Sequence, residues 1–319
     1  MSFKKCKLYV ILSSLRHLEA RLPQSWKLAN VAPIPKQSPV YDVKKHLRRI
    51  SLTPVLSKLA EDFVVDRYVK PAVLAKVDPR QFDTVPGSST TEALISMTHA
   101  LYSATDGNGA SVRVILFDFK KAFALIDHRI LVRKLGTYNI PDAVTAWITD
   151  FLTSRKQSVK LGHDCFSEWG AVPAGVPQGT KLGPWLFIIM INELDFPGTD
   201  LWKYVDDTTI SETISKNQDS HIQAAVDTLA SRATEDKFQL NETKCKELLI
   251  NFNTNNPTSF DPAVVNGMPI DLVTSAKILG LNISNDLKWN CHMTPLLRKL
   301  KSACIAYLSL NALVLGLVS

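Results

Sequence analysis

The chain has 319 residues, of which 45% are hydrophobic and 21% are charged, and its formal net charge is +7. This composition supplies enough apolar material for a sizeable core and excludes a chain that is disordered over most of its length. The basic excess fits a polyanionic partner, although charge alone does not establish one.

The cysteines indicate no metal or disulfide framework. The chain contains five of them, with no C-x-x-C pair: Cys6, Cys165, Cys245, Cys291 and Cys304. Their odd number and wide spacing favour reduced thiols in an intracellular protein, nuclear or cytoplasmic and not secreted. The apolar runs at 8–12 and 305–318 are too short for a signal peptide and a membrane span respectively, so we expect no membrane partner.

The first half of the chain predicts one long helix and one buried strand. Residues 51–68 have apolar positions at helical spacing, with Thr53 as the expected N-cap and Pro54 as the first helical residue. Residues 112–119 form an apolar run rich in β-branched residues, which is typical of a buried strand.

The elements that follow predict a mixed fold. In chain order we expect helices at 120–135 and 141–152, a hairpin at 158–172, a Gly/Pro-rich loop at 173–183, a helix at 186–194, a strand–turn–strand unit at 201–213, a helix at 218–237, and strands at 245–252 and 278–283. This order predicts an α+β fold in which helices cover one face of an antiparallel sheet.

Three aspartates stand at the ends of these predicted strands. Asp118 ends the buried strand, and Asp206 and Asp207 occupy a hairpin turn. Nucleotidyl transfer uses divalent cations, and Mg²⁺ needs only one or two protein carboxylates because water and phosphate complete its shell. Taken alone, a paired Asp in a turn is more often ordinary turn chemistry, and Asp118 could be a helix N-cap.

Their order along the chain, together with other motifs, decides between these interpretations. Five segments resemble, in sequence, the catalytic motifs of reverse transcriptases from non-LTR (LINE-type) retrotransposons: 117–123, 175–184, the Tyr-x-Asp-Asp motif at 204–207, 240–246, and 277–280 with 287–289. Upstream segments at 26–36, 48–59 and 81–94 resemble the fingers motifs of the same family. Agreement of five ordered motifs by chance is negligible.

The resemblance implies a right-hand polymerase fold with an antiparallel palm sheet. It divides the chain into an N-terminal extension (1–20), fingers (21–110), palm (111–140), a fingers insertion (141–170), palm (171–290) and the start of a truncated thumb (291–319). Full-length members of the family also carry an endonuclease, and nothing in this sequence resembles one. We therefore expect the endonuclease and most of the thumb to be missing.

The resemblance also implies a reaction and its catalytic residues. The expected activity is RNA-directed DNA polymerisation, in which a DNA primer is extended on an RNA template from deoxynucleoside triphosphates, with Mg²⁺ or Mn²⁺ as cofactor. Asp118 and Asp206 would bind the metals, Asp207 would support the site, and the backbone carbonyl of Phe119 would be a further ligand at the nucleotide. Lys244 would donate a proton to the departing pyrophosphate; an ordinary solvated lysine explains it equally well.

Five residues are implied to contact the incoming nucleotide. Phe123 would stack under the sugar and exclude a 2′-hydroxyl group, although by itself it would be a core aromatic residue. Gln178 and Gly179 would lie along the nascent base pair, where glycine allows close backbone approach, and Lys181 would also bind the nucleotide. Arg48 would bind the triphosphate through its forked guanidinium group, with a surface salt bridge as the alternative.

Three departures from the family pattern leave a second hypothesis open. Ala124 stands where the family commonly has Asp, Arg49 stands where it has Pro, and serines replace a basic residue near 86–90. None removes a metal ligand, but a degenerate or domesticated nucleic-acid-binding fragment without catalysis is the alternative. A nucleotide cyclase is a more distant one, because it would leave the Pro-Gln-Gly loop and Lys244 without a role.

Overall fold

The structure, a computed structural model, describes residues 21–106, 110–161, 164–216, 218–252 and 260–316. The predicted N-terminal extension therefore lies outside the described residues. The helices are α1 (Val43–His46), α2 (Val55–Val64), α3 (Lys70–Leu74), α4 (Thr90–Thr105), α5 (His128–Leu135), α6 (Asp142–Leu152), α7 (Leu182–Ile191), α8 (Ile222–Glu235) and α9 (Asn290–Gly316).

The strands form two main sheets and two short hairpins. They are β1 (Leu28–Pro35), β2 (Leu47–Leu52), β3 (Ser111–Phe117), β4 (Arg155–Val159), β5 (Gly170–Val172), β6 (Asp200–Tyr204), β7 (Asp207–Ile214), β8 (Lys246–Ile250), β9 (Val264–Val265), β10 (Met268–Pro269), β11 (Asp271–Val273), β12 (Ser275–Ile278) and β13 (Leu281–Ser284). The α+β class predicted from the sequence is thus confirmed.

The larger sheet has the strand order β11-β8-β3-β7-β6, and β3 pairs antiparallel with both of its neighbours. Helices cover both faces of this sheet. Val112 and Val114 pack with Met97 of α4 on one face, whereas Ile115 and Phe117 belong to the larger core that includes α5, α7 and α8. The prediction that helices cover one face is therefore wrong. The continuous apolar run of β3, unlike an alternating pattern, is typical of a strand buried on both faces.

The second sheet joins two segments that are distant in the chain. Its order is β2-β1-β4-β5, in which β1 is antiparallel to β2 and parallel to β4. The antiparallel pair β4–β5 confirms the predicted hairpin. The 173–183 loop, which follows β5 directly, accepts a hydrogen bond from the other edge strand, β2, and so lies beside residues 28–52.

The predicted helix at 51–68 begins later than expected. Ser51 and Leu52 are the last residues of β2, which pairs with β1, and α2 starts at Val55. The hydroxyl group of Thr53 is buried and has no hydrogen-bond partner among the described residues, so Thr53 is not the N-cap. Pairing with β1 outweighs the local capping signal, as tertiary contacts commonly do.

The predicted helix at 120–135 is broken in its first half. Lys121 has a φ of 50°, a 3₁₀ turn covers Ala122–Ala124, and α5 starts only at His128. The carboxylate of Asp127 accepts hydrogen bonds from the first backbone N–H groups of α5 and is its N-cap. The left-handed backbone at Lys121 prevents a continuous helix.

The single strand predicted at 278–283 is also wrong. This segment is a hairpin of β12 and β13, with Leu279 at φ 47° and Gly280 at φ 96° between the strands. Consecutive residues with positive φ are typical of a tight hairpin turn. Glycine at position 280 makes that turn possible without a Cβ penalty.

A buried lysine anchors the edge strand β6. Lys203 has no solvent exposure, and its ammonium group donates hydrogen bonds to Asp78 Oδ2 at 2.7 Å and to the carbonyls of Asn192 and Leu194. Burial acts to raise the pKa of Asp78, but hydrogen bonds from Arg80 and Lys203 lower it to about 2. This ion pair holds the strand that leads into the 204–207 turn.

Within the described ranges, no helix has both the length and the apolar character needed to cross a membrane.

Candidate active site

Two adjacent strands of the larger sheet bring the three predicted aspartates to one end. The register Phe117↔Thr208 between β3 and β7, extended by one residue, places Asp118 beside Asp207. Tyr204 pairs with Asp207 across the β6–β7 hairpin, so Val205 and Asp206 form its two-residue turn. Because β3 is the central strand and is buried, the position of Asp118 is rigidly defined.

The turn itself has an unfavourable backbone conformation. Val205 has a φ of 54°, a region in which a β-branched residue is a genuine outlier. Positive φ at the first of two turn residues matches the type II′ hairpin, which normally has glycine there. The strain is of the order of 1–3 kcal/mol and persists only because the surrounding sheet imposes the geometry. Such outliers cluster at functional sites.

The electrostatics of the aspartates indicate a place for a cation. Burial, followed by the charges of Asp206 and Asp118, raises the pKa of Asp207 to about 6. Burial and the charge of Asp118 also raise the pKa of Asp206, which the charges of Lys36 and Arg48 partly oppose. Both side chains still reach solvent. Carboxylates that repel each other and remain accessible fit a divalent cation.

Asp118 has partners of its own. Its Oδ2 accepts a hydrogen bond from Asn241 Nδ2 at 2.7 Å, and its backbone carbonyl accepts one from the backbone N–H of Asn241. Lys244 Nζ lies 3.5 Å from the same Oδ2, with 67% of its side chain exposed. Sequence reasoning missed Asn241, although it belongs to the 240–246 motif. Its amide orients the carboxylate of Asp118.

In the described part of the chain, no three His, Cys, Asp or Glu side chains are arranged as a ready metal cage. The donor set fits Mg²⁺ nevertheless, because this ion needs only one or two protein carboxylates. The backbone hydrogen bonds beside Phe119 run from Lys120 to Gln239 and from Asn241 to Asp118. Neither uses the Phe119 carbonyl, which was predicted to be a ligand.

Phe123 lies between the core and the surface. Its ring stacks on Phe187 of α7, with centroids 4.7 Å apart and planes 19° from parallel. The residue is half-buried and packs against the larger core. One face of the ring is thus supported by Phe187. This arrangement is compatible with both hypotheses for Phe123, the sugar contact and the core residue.

The Gly/Pro-rich loop packs closely against the segment that contains Phe123. The N–H of Val176 donates to the carbonyl of Phe123 at 2.8 Å, and the N–H of Gly175 donates to the carbonyl of Ile126 at 2.9 Å. Gly175 has a φ of 86°, and a Cβ built there would lie 2.6 Å from the carbonyl oxygen of Ala124. Only glycine allows this approach.

The middle of the same loop contacts β2, near the end of that strand. The backbone N–H of Ser51 donates to the carbonyl of Gln178 at 2.8 Å. Gly179 has a φ of 97°, and a Cβ on it would lie 3.0 Å from Ile50 Cγ2. The Gln178 side chain is exposed. The structure therefore brings the predicted nucleotide-binding pair against the strand that carries Arg48.

Three basic residues lie around this loop in different ways. The charges of Arg48, in β2, and of Lys36, the residue after β1, act on Asp206. Lys36 is a residue that sequence reasoning missed, although it ends the 26–36 motif. The side chain of Lys181, in contrast, pairs with Asp62 of α2 at 3.5 Å. Its predicted contact with the nucleotide remains a prediction.

Comparison with known proteins is consistent with this geometry. The family described as "Reverse transcriptase (RNA-dependent DNA polymerase)" matches residues 34–283. The chain is 24% identical over 289 residues to the probable RNA-directed DNA polymerase from transposon X-element of Drosophila melanogaster. It is 27% identical over 287 residues to the RNA-directed DNA polymerase from mobile element jockey of the same organism.

These alignments cover 88% and 85% of this chain but only 31% and 30% of the two relatives. The chain thus spans about a third of their length. Both relatives come from mobile elements, and the similarity to LINE-type reverse transcriptases seen in the motifs is confirmed.

Solved structures support the fold. The apo telomerase from Candida tropicalis superposes with a TM-score of 0.55 at 12% identity, covering 90% of this chain and 53% of that chain. Telomerase from Candida albicans, in complex with a fragment of telomeric RNA, gives a TM-score of 0.51 at 15% identity, and the match covers 88% of this chain and 48% of that chain. At such identities the likeness concerns the fold alone, and it confirms the right-hand polymerase arrangement.

Proposed function

Because the chain belongs to the reverse transcriptase (RNA-dependent DNA polymerase) family, we propose that it performs RNA-directed DNA synthesis for a non-LTR retrotransposon. The observation that carries this proposal is the juxtaposition of Asp118, at the end of β3, with Asp206 and Asp207 in the β6–β7 turn. Deoxynucleoside triphosphates are the substrates, and an RNA template paired with a DNA primer is the partner.

The cofactor in this proposal is Mg²⁺ or Mn²⁺, held by Asp118, Asp206 and Asp207 with the carbonyl of Phe119. When bound, the cations would acidify the primer 3′-hydroxyl group and neutralise charge on the phosphates. Asn241 keeps the carboxylate of Asp118 in place by its hydrogen bond at 2.7 Å.

The nucleotide-binding residues come from two regions. Strands β1, β2 and β4, with α2 and α6, belong to the proposed fingers (21–110 and 141–170), and the five-stranded sheet belongs to the palm (111–140 and 171–290). Strand β5 lies at the boundary between the two. Arg48 and Lys36 face the carboxylates from the fingers and suit the triphosphate. Gln178 and Gly179 line the base pair, and the ring of Phe123, supported by Phe187, selects the deoxy sugar.

Lys244 is the proposed proton donor to pyrophosphate. Its ammonium group lies 3.5 Å from Asp118 Oδ2, close to where the phosphates would bind, and it is mostly exposed. A lysine side chain that is mostly exposed can adjust its position when the nucleotide arrives.

Primer extension on a homopolymeric RNA template, with Mg²⁺ or Mn²⁺, tests the proposal. We expect the parent chain to extend the primer, and Asp118→Asn and Asp206→Asn to lose activity by about 10²-fold or more, because each removes charge stabilisation from the reacting phosphate. Glu235→Gln, an exposed substitution on α8 outside the site, is the control. Equal rates for the parent and either Asn variant would refute the assignment.

The non-catalytic alternative is favoured by one residue. Ala124 replaces an Asp that the family commonly has, and it lies in the 3₁₀ turn next to the Gly175 loop. On that hypothesis the chain binds a template–primer duplex but does not extend it. Binding of the template–primer duplex without extension of the primer, in the presence of either Mg²⁺ or Mn²⁺, would establish the alternative.

A further inference from the structure

A carboxyl group outside the aspartate cluster is bound to the start of α7. Glu61 of α2 has no solvent exposure, and its Oε2 accepts hydrogen bonds from the backbone N–H groups of Lys181 at 3.1 Å and Leu182 at 3.5 Å. Its other oxygen accepts a hydrogen bond from the hydroxyl group of Ser57. Lys181, the N-cap residue of α7, provides no side-chain cap, and the hydroxyl group of Thr180 accepts a hydrogen bond from the N–H of Gly183, one residue after those that Glu61 accepts from. Glu61 therefore caps α7 from a distant part of the chain.

The environment of Glu61 is unfavourable for a simple packing residue. Burial raises its pKa to about 7, although the charge of Arg155 and the hydrogen bonds from the α7 backbone act in the opposite direction. Arg155 is itself only 3% exposed, and in the part of the chain that the structure describes its Nη2 atom has no hydrogen-bond partner. Burying two charged groups costs more than packing apolar residues of the same volume. This cost indicates a specific role for the carboxyl group.

The role follows from what the carboxyl group holds. Besides the hydrogen bonds that Gly175 and Val176 donate to the segment that contains Phe123, the 175–182 segment has three further attachments, each to a different element. His128 of α5 bonds to the carbonyl of Gly175 at 2.7 Å, and Ser51 of β2 bonds to the carbonyl of Gln178. Glu61 supplies the third attachment, at the end that leads into α7. Gln178 is thus the residue held by the second attachment, and Gly179 lies between it and the third.

We propose that Glu61 is a positioning residue that fixes Gln178 and Gly179 against β2 and thereby sets the affinity for the incoming nucleotide. This inference rests on the proposed function, because that function makes the loop a nucleotide contact. Glu61 itself does not touch the substrate. It acts by accepting hydrogen bonds from the N–H groups of Lys181 and Leu182 at the start of α7, which fixes the position of the loop before the helix.

The first test separates nucleotide affinity from turnover. Glu61→Leu removes the acceptor and introduces an apolar side chain of similar size, whereas Glu61→Gln retains one acceptor oxygen. Glu235→Gln, on the exposed surface of α8, is the matched control. We expect the KM for the nucleotide to rise about tenfold in Glu61→Leu and less in Glu61→Gln, while kcat and template–primer affinity change less than about twofold. A fall in kcat at unchanged KM would overturn the proposal.

The second test needs no enzymatic activity. Backbone amide exchange at Lys181 and Leu182 should accelerate about tenfold or more in Glu61→Leu, whereas exchange in β7 should match the parent. Unchanged exchange at those two amides, or faster exchange throughout the chain, would show Glu61 to be an ordinary core residue. If Glu61→Leu does not fold, Glu61→Gln provides both readouts. A parent chain that does not extend primers refutes the proposed function, and the exchange result still decides the positioning role.

Discussion

Replacing Gly175 by alanine should damage the nucleotide-binding loop more than its backbone angle alone predicts. Gly175 has a φ of 86°, and Gly198 has a φ of 83°. A Cβ at Gly198 would meet no atom within 4 Å, whereas a Cβ at Gly175 would lie 2.6 Å from the carbonyl oxygen of Ala124. The two glycines therefore have the same strain and differ in the clash.

The magnitudes follow from these two contributions. Alanine in the left-handed region costs about 1–2 kcal/mol, of which about 0.4–1 kcal/mol is offset by the lower entropy of the unfolded chain. Displacing a closely packed backbone adds about 1–3 kcal/mol. We expect Gly198→Ala to lower the free energy of unfolding by about 1 kcal/mol and Gly175→Ala by about 2–4 kcal/mol.

The assay combines urea denaturation with primer extension. The clash must move the loop or the segment at Phe123 and Ala124, which separates the nucleotide contacts from the aspartates. A displacement of about 1 Å costs roughly 10²-fold in rate, so kcat/KM for the nucleotide should fall by one to two orders of magnitude in Gly175→Ala only. If Gly175→Ala and Gly198→Ala lose the same stability and both keep parental kcat/KM, the reasoning from the Ala124 contact is wrong.

Four further outcomes are expected. Phe123→Val should raise the kcat/KM for ribonucleotides relative to deoxynucleotides, and an unchanged ratio in a folded variant would make Phe123 a core residue. Mn²⁺ binding, measured by calorimetry, should tighten as pH rises through 6, because the raised pKa of Asp207 means that its carboxyl group must lose a proton to bind the ion. Asp207→Asn should reduce this pH dependence. The folded-state pKa of Glu61, about 7, lies above its usual value of 4.5, so the stability that Glu61 contributes is fully present below pH 4.5 and is lost as pH rises through 7. The free energy of unfolding, measured in urea, should therefore be lower at pH 8 than at pH 5 by up to about 3 kcal/mol, and Glu61→Gln should abolish this difference. The pKa of Asp78 is lowered from 3.8 to about 2, so the stability that Asp78 contributes is present above pH 3.8 and is lost as pH falls through 2. In the same urea experiment, Lys203→Met should reduce the loss of unfolding free energy between pH 3.8 and pH 2.

The order of motifs in the sequence was sufficient to predict the family and the fold. Asp118 after a β-branched apolar run and the Asp pair in a short turn are local patterns, and a strand end or a two-residue turn depends mainly on local residue preferences. The strands β3, β6 and β7 were accordingly predicted close to their observed bounds. The roles of the site residues, from Arg48 to Lys244, stay predictions that the experiments above test.

The tertiary structure decided which local signals prevailed. Thr53 and Pro54 have the pattern of a helix start, but pairing of Ser51 with Val31 across the sheet extended β2 and delayed α2 to Val55. Burial of β3 on both faces was likewise decided by α4, which packs on the side opposite to α7. Such contacts join residues far apart in the chain, and their energies exceed the local preferences of about 1 kcal/mol.

The residues that hold the site in place were also not recognised from the sequence. Asn241 beside Asp118, Lys36 near Asp206, and Glu61 at the start of α7 are ordinary polar residues until the fold brings them to their partners. Hydrogen bonds act over about 3 Å and interactions between charges over roughly 10 Å, whereas these pairs are separated by many tens of residues in the chain. The sequence by itself therefore determined the chemistry of the reacting groups, whereas only the folded chain determined what holds those groups in place.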